Sequence, residues 1–295
     1  VANIFENIKQ AQTQIASVSL AALNRQIVLP NTVYRSAEND YNGRSGDVVT
    51  VRKPATLTAR TLADRNQAIT YDDVQENGVP VAIDSVIYHG ARIEDEVAEF
   101  DVENFMAQVV IPQVVACAIQ AENVLAAEMD TLASDLAIAA NGSDAIEQII
   151  QARKALNEAN VPANNRYLVV SPDVEAFLVS DERLMRVDAS GSNSALREAV
   201  IGRLFGFEVL WSNAIAAGTA VAYHQDAFAF VSRAPRVPQG VSAGSSQTYG
   251  GLGVRWTMDY DSDYIRDRSL LLTFAGAAVL DADRIVKLTT TGVSS

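Results

Sequence analysis

Residues Asp101–Met129, DVENFMAQVVIPQVVACAIQAENVLAAEM, decide the fold. The apolar residues Phe105, Met106, Val109, Val110, Val114, Cys117, Val124 and Leu125 recur at helical spacing and share one helix face. Asp101 suits an N-cap, and Glu103 suits the positive end of the helix dipole. Pro112 removes a backbone donor and crowds the preceding turn, which predicts a kink or a break there. Unbroken, the helix would run roughly 40 Å at about 1.5 Å per residue. A beam of that length braces an extended molecule more readily than it fills a compact core.

Upstream, Val48–Val51 and Val79–Ile83 have strand character, and the residues between them are poor in apolar side chains: Leu57, Leu62, Ile69, Tyr71 and Val74. Two readings stand: a two-stranded excursion that needs another surface to lie on, or a mobile surface loop. Val86–His89 continues as strand, and the acids Glu94, Asp95, Glu96, Glu99, Asp101 and Glu103 lead into the helix. Before the excursion, Val1–Leu29 carries short amphipathic helix signals (Ile4, Phe5, Ile8, Ile15, Val18, Leu23) and ends at Leu29-Pro30-Asn31.

Downstream, helix and strand alternate. Ala145–Leu156 reads as helix and Tyr167–Val170 as a buried strand. Ser171-Pro172-Asp173 reads as a helix start with a capping serine. Ala195–Leu204 reads as a helix ending at Gly206, and Phe207–Trp211, Ala220–Tyr223 and Phe228–Val231 read as strands. This block predicts a compact α/β unit, roughly 141–231. Arg233–Gly253 is linker-like, and strands at Val254–Met258, Ser269–Phe274, Ala277–Leu280 and Ile285–Leu288 close the chain, available to pair with the material around the long helix.

Composition narrows the function classes. The 295 residues suffice for one large or two ordinary domains, and 48% hydrophobic content supplies a core. No apolar run approaches the roughly 20 residues that span a bilayer. Val1–Gln10 lacks a signal-peptide pattern, so the expectation is a soluble intracellular product without membrane partners. A net charge of -13 and the sparse lysines (Lys9, Lys53, Lys154, Lys287) argue against a tight grip on nucleic acid.

No catalytic, cofactor or metal site emerges. His89 and His224 lie in no zinc spacing, and the single cysteine, Cys117, sits mid-helix on an apolar face. Gly250-Gly251-Leu252-Gly253 lacks the context of a dinucleotide site. Asp259, Asp261 and Asp263 open like a calcium loop, but Tyr264 and Leu270 stand where its glycine and bidentate glutamate belong. Whether that cluster takes a metal stays open.

Several stretches carry a resemblance. They are Gly46-Asp47-Val48-Val49-Thr50-Val51-Arg52-Lys53-Pro54, Asp101-Val102-Glu103-Asn104-Phe105 through Pro112 into Ala126, and Ala155–Pro162 followed by Arg166–Pro172. Gly206-Phe207-Glu208-Val209, Asp226-Ala227-Phe228-Ala229 and Leu271–Val279 with Gly276 complete the series. In that order they resemble the major capsid proteins of tailed bacteriophages, the Hong Kong ninety-seven phage-type shell fold also seen in encapsulins.

The resemblance implies an α+β fold in five parts. An N-terminal arm spans 1–43 and an extended β-hairpin loop 44–82. A peripheral domain holds the long spine helix at 83–133, and an inserted axial α/β domain spans 134–253. Closing peripheral strands fill 254–295. The implied function is structural and not enzymatic: pentamers and hexamers of the chain tile an icosahedral head shell around packaged phage DNA. Implied partners are further copies of itself, scaffolding, portal and decoration proteins, and double-stranded DNA held nearby without sequence preference. The chain would be located in the virion after assembly in the host cytoplasm. The alternatives are an encapsulin-like compartment and an acidic soluble hydrolase. The basic first half of the loop and the acids before the spine helix predict an inter-subunit contact. Arg52, Lys53, Arg60 and Arg65 of one copy would face Glu94, Glu96, Glu99 and Glu103 of the next, unless the acids are simply solvated.

Overall fold

The computed structural model describes residues 28–35, 48–53, 77–95, 109–181, 202–241, 243–249 and 252–291, with single residues at 59, 61, 69 and 71. The N-terminal segment up to residue 27, most of the loop tip, residues 96–108 and the predicted polar loop at 188–193 lie outside the described residues.

Helix α1, Ile111–Asp130, is the centre of the molecule. Its buried face carries Val114, Cys117, Ala118, Ala121, Leu125, Ala126 and Met129, the three-to-four spacing expected of one helix side. Four of these are small, so neighbouring strands approach the helix closely. Pro112 lies in its first turn, and Val109 and Val110 just before it have π-helical pairing. The missing donor of the proline therefore falls in the first turn of the described helix, where the N–H groups have no intrahelical partner.

The β strands form three sheets among the described residues. Strands β1 (Val48–Lys53) and β2 (Asn77–Ala82) pair antiparallel from Val48–Ala82 to Lys53–Asn77, as the two-stranded excursion requires. Val81 at its base is buried with Ala229 and Val231, against which Val51, Ile83 and Tyr34 also pack.

The second sheet has the order β10-β11-β12-β3, with β9 pairing the far half of β12. Its strands are β3 (Ser85–Glu94), β9 (Phe228–Arg233), β10 (Ala243–Tyr249), β11 (Leu252–Asp261) and β12 (Arg266–Val279). Gly276 permits the hairpin base to cross β12: a Cβ there would lie 2.0 Å from the Ala82 carbonyl oxygen.

The third sheet is mixed, in the order β4-β13-β8-β5-β7-β6. It comprises β4 (Leu136–Ile138), β5 (Arg166–Val170), β6 (Arg203–Leu204), β7 (Phe207–Trp211), β8 (Thr219–His224) and β13 (Ile285–Thr290). Helices α2 (Ala145–Glu158) and α3 (Pro172–Ser180) cover one face through Ile149, Leu156, Val174 and Leu178. The other face turns Val169, Val221 and Tyr223 into the core of α1 and the second sheet. Being covered on both sides, β5 and β8 are near-continuous apolar runs.

The structure corrects four expectations. Residues 243–249 of the supposed linker form β10, paired to β11 from Ala243–Met258 to Tyr249–Leu252. Phe228–Arg233 belongs to the sheet of β12, not to the α/β block. Conversely, Ile285–Thr290 pairs with β8 and β4 instead of joining the strands around α1. There the buried Lys287 donates from Nζ to the carbonyls of Asp130 (2.8 Å) and Leu132 (3.1 Å), a cation at the negative end of α1. Finally, Arg203–Leu204 is strand, turning through Phe205 (φ 48°) and Gly206 (φ 86°) into β7.

Candidate assembly interface

Alternation along β3 and β12 sends side chains to opposite faces of the sheet. Ile87 and Ile93 of β3, with Leu271 and Ala275 of β12, are buried. On the opposite face the register sets Val86 beside Phe274, Tyr88 beside Leu272, and Gly90 beside Leu270. Val86 is 57% and Tyr88 68% exposed, while Leu270, Leu272 and Phe274 are half-buried. The base of the hairpin crosses this face at Gly276, and Ala234 and Val237 approach it at Gly253 and Gly244, so the exposed part is the β3 side around Val86 and Tyr88. A groove of about 320 Å³ also follows β3 where it meets α1, lined by Ile87, His89, Ala116 and Gln120 among others.

The apolar rows give way to charged ones toward the hairpin joining β11 to β12. One cross-strand row is Asp259–Arg268–Arg92 and the next Asp261–Arg266–Glu94. Arg268 lies 3.0 Å from Asp259 and 3.8 Å from Asp261, and Arg266 lies 3.4 Å from Asp261. Arg266 also stacks over the Tyr264 ring at 4.4 Å. Tyr260 donates its hydroxyl to Asp95 at 3.0 Å. Partial burial, with Asp95 and Asp259 nearby, raises the pKa of Asp267. Of the aspartates that resemble a calcium loop, Asp259 and Asp261 are partners for arginines, and no group of metal-ligating side chains forms among the described residues.

The residues predicted for an inter-subunit contact fall in different places. Arg52 and Lys53 lie on β1 opposite Gly78 and Asn77. Glu94 is exposed at the end of β3, opposite Arg266. Arg60, Arg65, Glu96, Glu99 and Glu103 lie outside the described residues. The candidate face also carries Val86, Tyr88, Leu272 and Phe274, with Arg92, Arg266 and Arg268, which the inter-subunit expectation does not name. A signal for them existed: the charges at 266–268 give way to leucines and Phe274 along one continuous strand.

The remaining reactive groups have structural settings. Cys117 is buried, and burial pushes its thiol up to about 11. His224 is buried at the end of β8, its Nδ1 accepting from the Asp226 backbone N–H at 3.2 Å.

No protein-family model and no curated protein sequence matches the chain. Solved structures do. A protein of Mycobacterium phage Che8 is 24% identical with a TM-score of 0.67, over 89% of this chain and 91% of that one. The mature capsid asymmetric unit of bacteriophage PhiM1 is similar over 90% of this chain and 87% of that one, at 16% identity and a TM-score of 0.61. A virus-like particle from Pyrococcus furiosus is similar over 94% and 98%, at 13% identity and a TM-score of 0.53. The chain has the α+β fold of the phage major capsid proteins.

Proposed function

We propose that this protein is a major capsid protein whose copies assemble as pentamers and hexamers into an icosahedral head shell around packaged phage DNA. The observation that carries the reading is a capsid fold matched along nearly the whole of both chains, not in one domain alone. The open face of the second sheet supports it, since an apolar strip with a charged border is the composition of a surface meant to be covered. A neighbouring copy lays its extended hairpin there. Arg52, Lys53, Arg60 and Arg65 then meet Glu94, Glu96, Glu99 and Glu103. The five-part division of the chain stands in this reading, with β9 and β13 exchanged between the axial and peripheral units. Scaffolding, portal and decoration proteins complete the assembly in the host cytoplasm, and the shell resides in the virion.

The similarity to the Pyrococcus virus-like particle favours a second reading, a DNA-free compartment. Electron microscopy of particles from producing cells, with and without nuclease, tests both. Polyhedral shells holding nuclease-protected DNA support the first reading. Empty or protein-filled shells support the second, and a monomer at all concentrations overturns both.

A further inference from the structure

Strand β3 ends its sheet: β12 lies on one side of it, and no strand lies on the other among the described residues. Its ten residues pair with β12 in consecutive register, so no bulge bends the free edge away. It contains no proline, and from Ser85 to Ala91 it carries no Asp, Glu, Lys or Arg. A long, flat, uncharged edge of this kind is a template for another strand. Beside it runs the groove of about 320 Å³ against α1, lined by Ile87, His89, Ala116, Cys117 and Gln120 among others. Alternation puts His89 on the face of Ile87 and Ile93, yet it is exposed where they are buried, so that face of β3 is uncovered at the groove.

The molecule holds a strand that fits. The β1–β2 ribbon has only two strands, too few to be stable alone in water. On β2, Pro80 is exposed and lies opposite Thr50. A proline has no N–H to give its partner, so it belongs in a pair whose backbone groups face away from each other. The outer edge of β2 is therefore short of a donor. On β1 the same pairing turns the N–H and C=O of Thr50, and by alternation those of Val48 and Arg52, toward the free edge.

We propose that β3 accepts β1 of a neighbouring copy as an added strand, running parallel to it. That direction sets Arg52 and Lys53 at the end of β3 that carries the exposed Glu94. Alternate side chains of the incoming strand enter the groove between β3 and α1. Backbone bonds supply affinity, and the groove selects the register. Because the occupant is a second copy, this rests on the shell reading.

Hydrogen exchange of the purified full chain, before and after assembly into shells, tests it. Strands β3 and β1 should gain protection together on assembly. Thr50→Pro removes an outward donor without breaking the β1–β2 ladder. It should keep the melting temperature of the subunit within a few degrees and weaken association by up to about tenfold per contact, the worth of one backbone hydrogen bond. Thr50→Ala, which retains the N–H, should assemble as the parent chain does. The exchange comparison carries the test alone if Thr50→Pro misfolds. Shells in which β3 exchanges as fast as in the free subunit, protection of β3 without β1, or full assembly by Thr50→Pro overturns the strand addition and leaves the shell reading standing. A chain that stays monomeric at all concentrations overturns both.

Discussion

At the scale of residues, Ser171 separates a sequence rule from its local outcome. Ser-Pro-Asp before an apolar run predicts a capping serine, and the backbone of Ser171 is extended as an N-cap should be. The hydroxyl, however, is buried without a partner. A capping hydroxyl is worth about 1 kcal/mol, whereas an unsatisfied buried one destabilises. Ser171→Ala should leave urea stability unchanged or slightly raised. A loss of about 1 kcal/mol would show the cap to be made after all. His224 gives a second residue-level prediction. Burial lowers its pKa, opposed by Asp226 and assisted by Arg284 and Arg166. The folded chain binds the proton less readily than the unfolded one. Stability from this group is full above pH 6.5 and declines as pH falls below it. His224→Gln should flatten that part of the stability profile, measured by denaturant midpoints at several pH values. An unchanged slope would assign the acid sensitivity elsewhere. These settings were illegible in the sequence, because partners such as Arg284 for Asp226 meet only after two chain crossings.

Among elements, legibility followed periodicity. Helix α1 and the β1–β2 pair were readable because their apolar spacing belongs to one period each. Strand β10 was not: Ala-Gly-Ser-Ser-Gln-Thr-Tyr has the composition of a linker, and only pairing with β11 makes it a strand. Strands β9 and β13 were recognised as strands but placed with the wrong sheet. The chain crosses between sheets at the short turns Gln225–Ala227 and Ala282–Arg284, and no local pattern marks a crossing. The open face went unseen because its row is assembled from β3 and β12, far apart in sequence. Two predictions belong here. Gly276→Ala should cost about 1 to 3 kcal/mol in urea unfolding, since the atom it strikes is the backbone oxygen of Ala82. A change under about 0.5 kcal/mol would mean the hairpin base shifts freely. Tyr88→Glu should preserve the melting temperature within a few degrees, because the ring is mostly solvent-exposed in one subunit. It should nonetheless sharply reduce association between copies in sedimentation velocity. Unimpaired association would remove β3 from the interface.

For the whole molecule, α1 holds two differently built sheets to one core, while the β1–β2 hairpin leaves that core from a base fixed on β9 and β12. One unit is closed on both faces by α1, α2 and α3. The other leaves Val86 and Tyr88 exposed beside the half-buried Leu272 and Phe274. Such asymmetry suits a subunit that is complete only beside its neighbours. Heterologous contacts of this kind close into rings when the rotation between copies permits. In the proposed shell, the face carrying Val86, Tyr88, Leu272 and Phe274 is where one copy receives the next. Electron cryomicroscopy of particles assembled from the purified chain tests it most directly. Closed shells should form with five- and six-fold capsomers in which a neighbouring copy covers these four side chains. Shells in which the four remain open to solvent would contradict it.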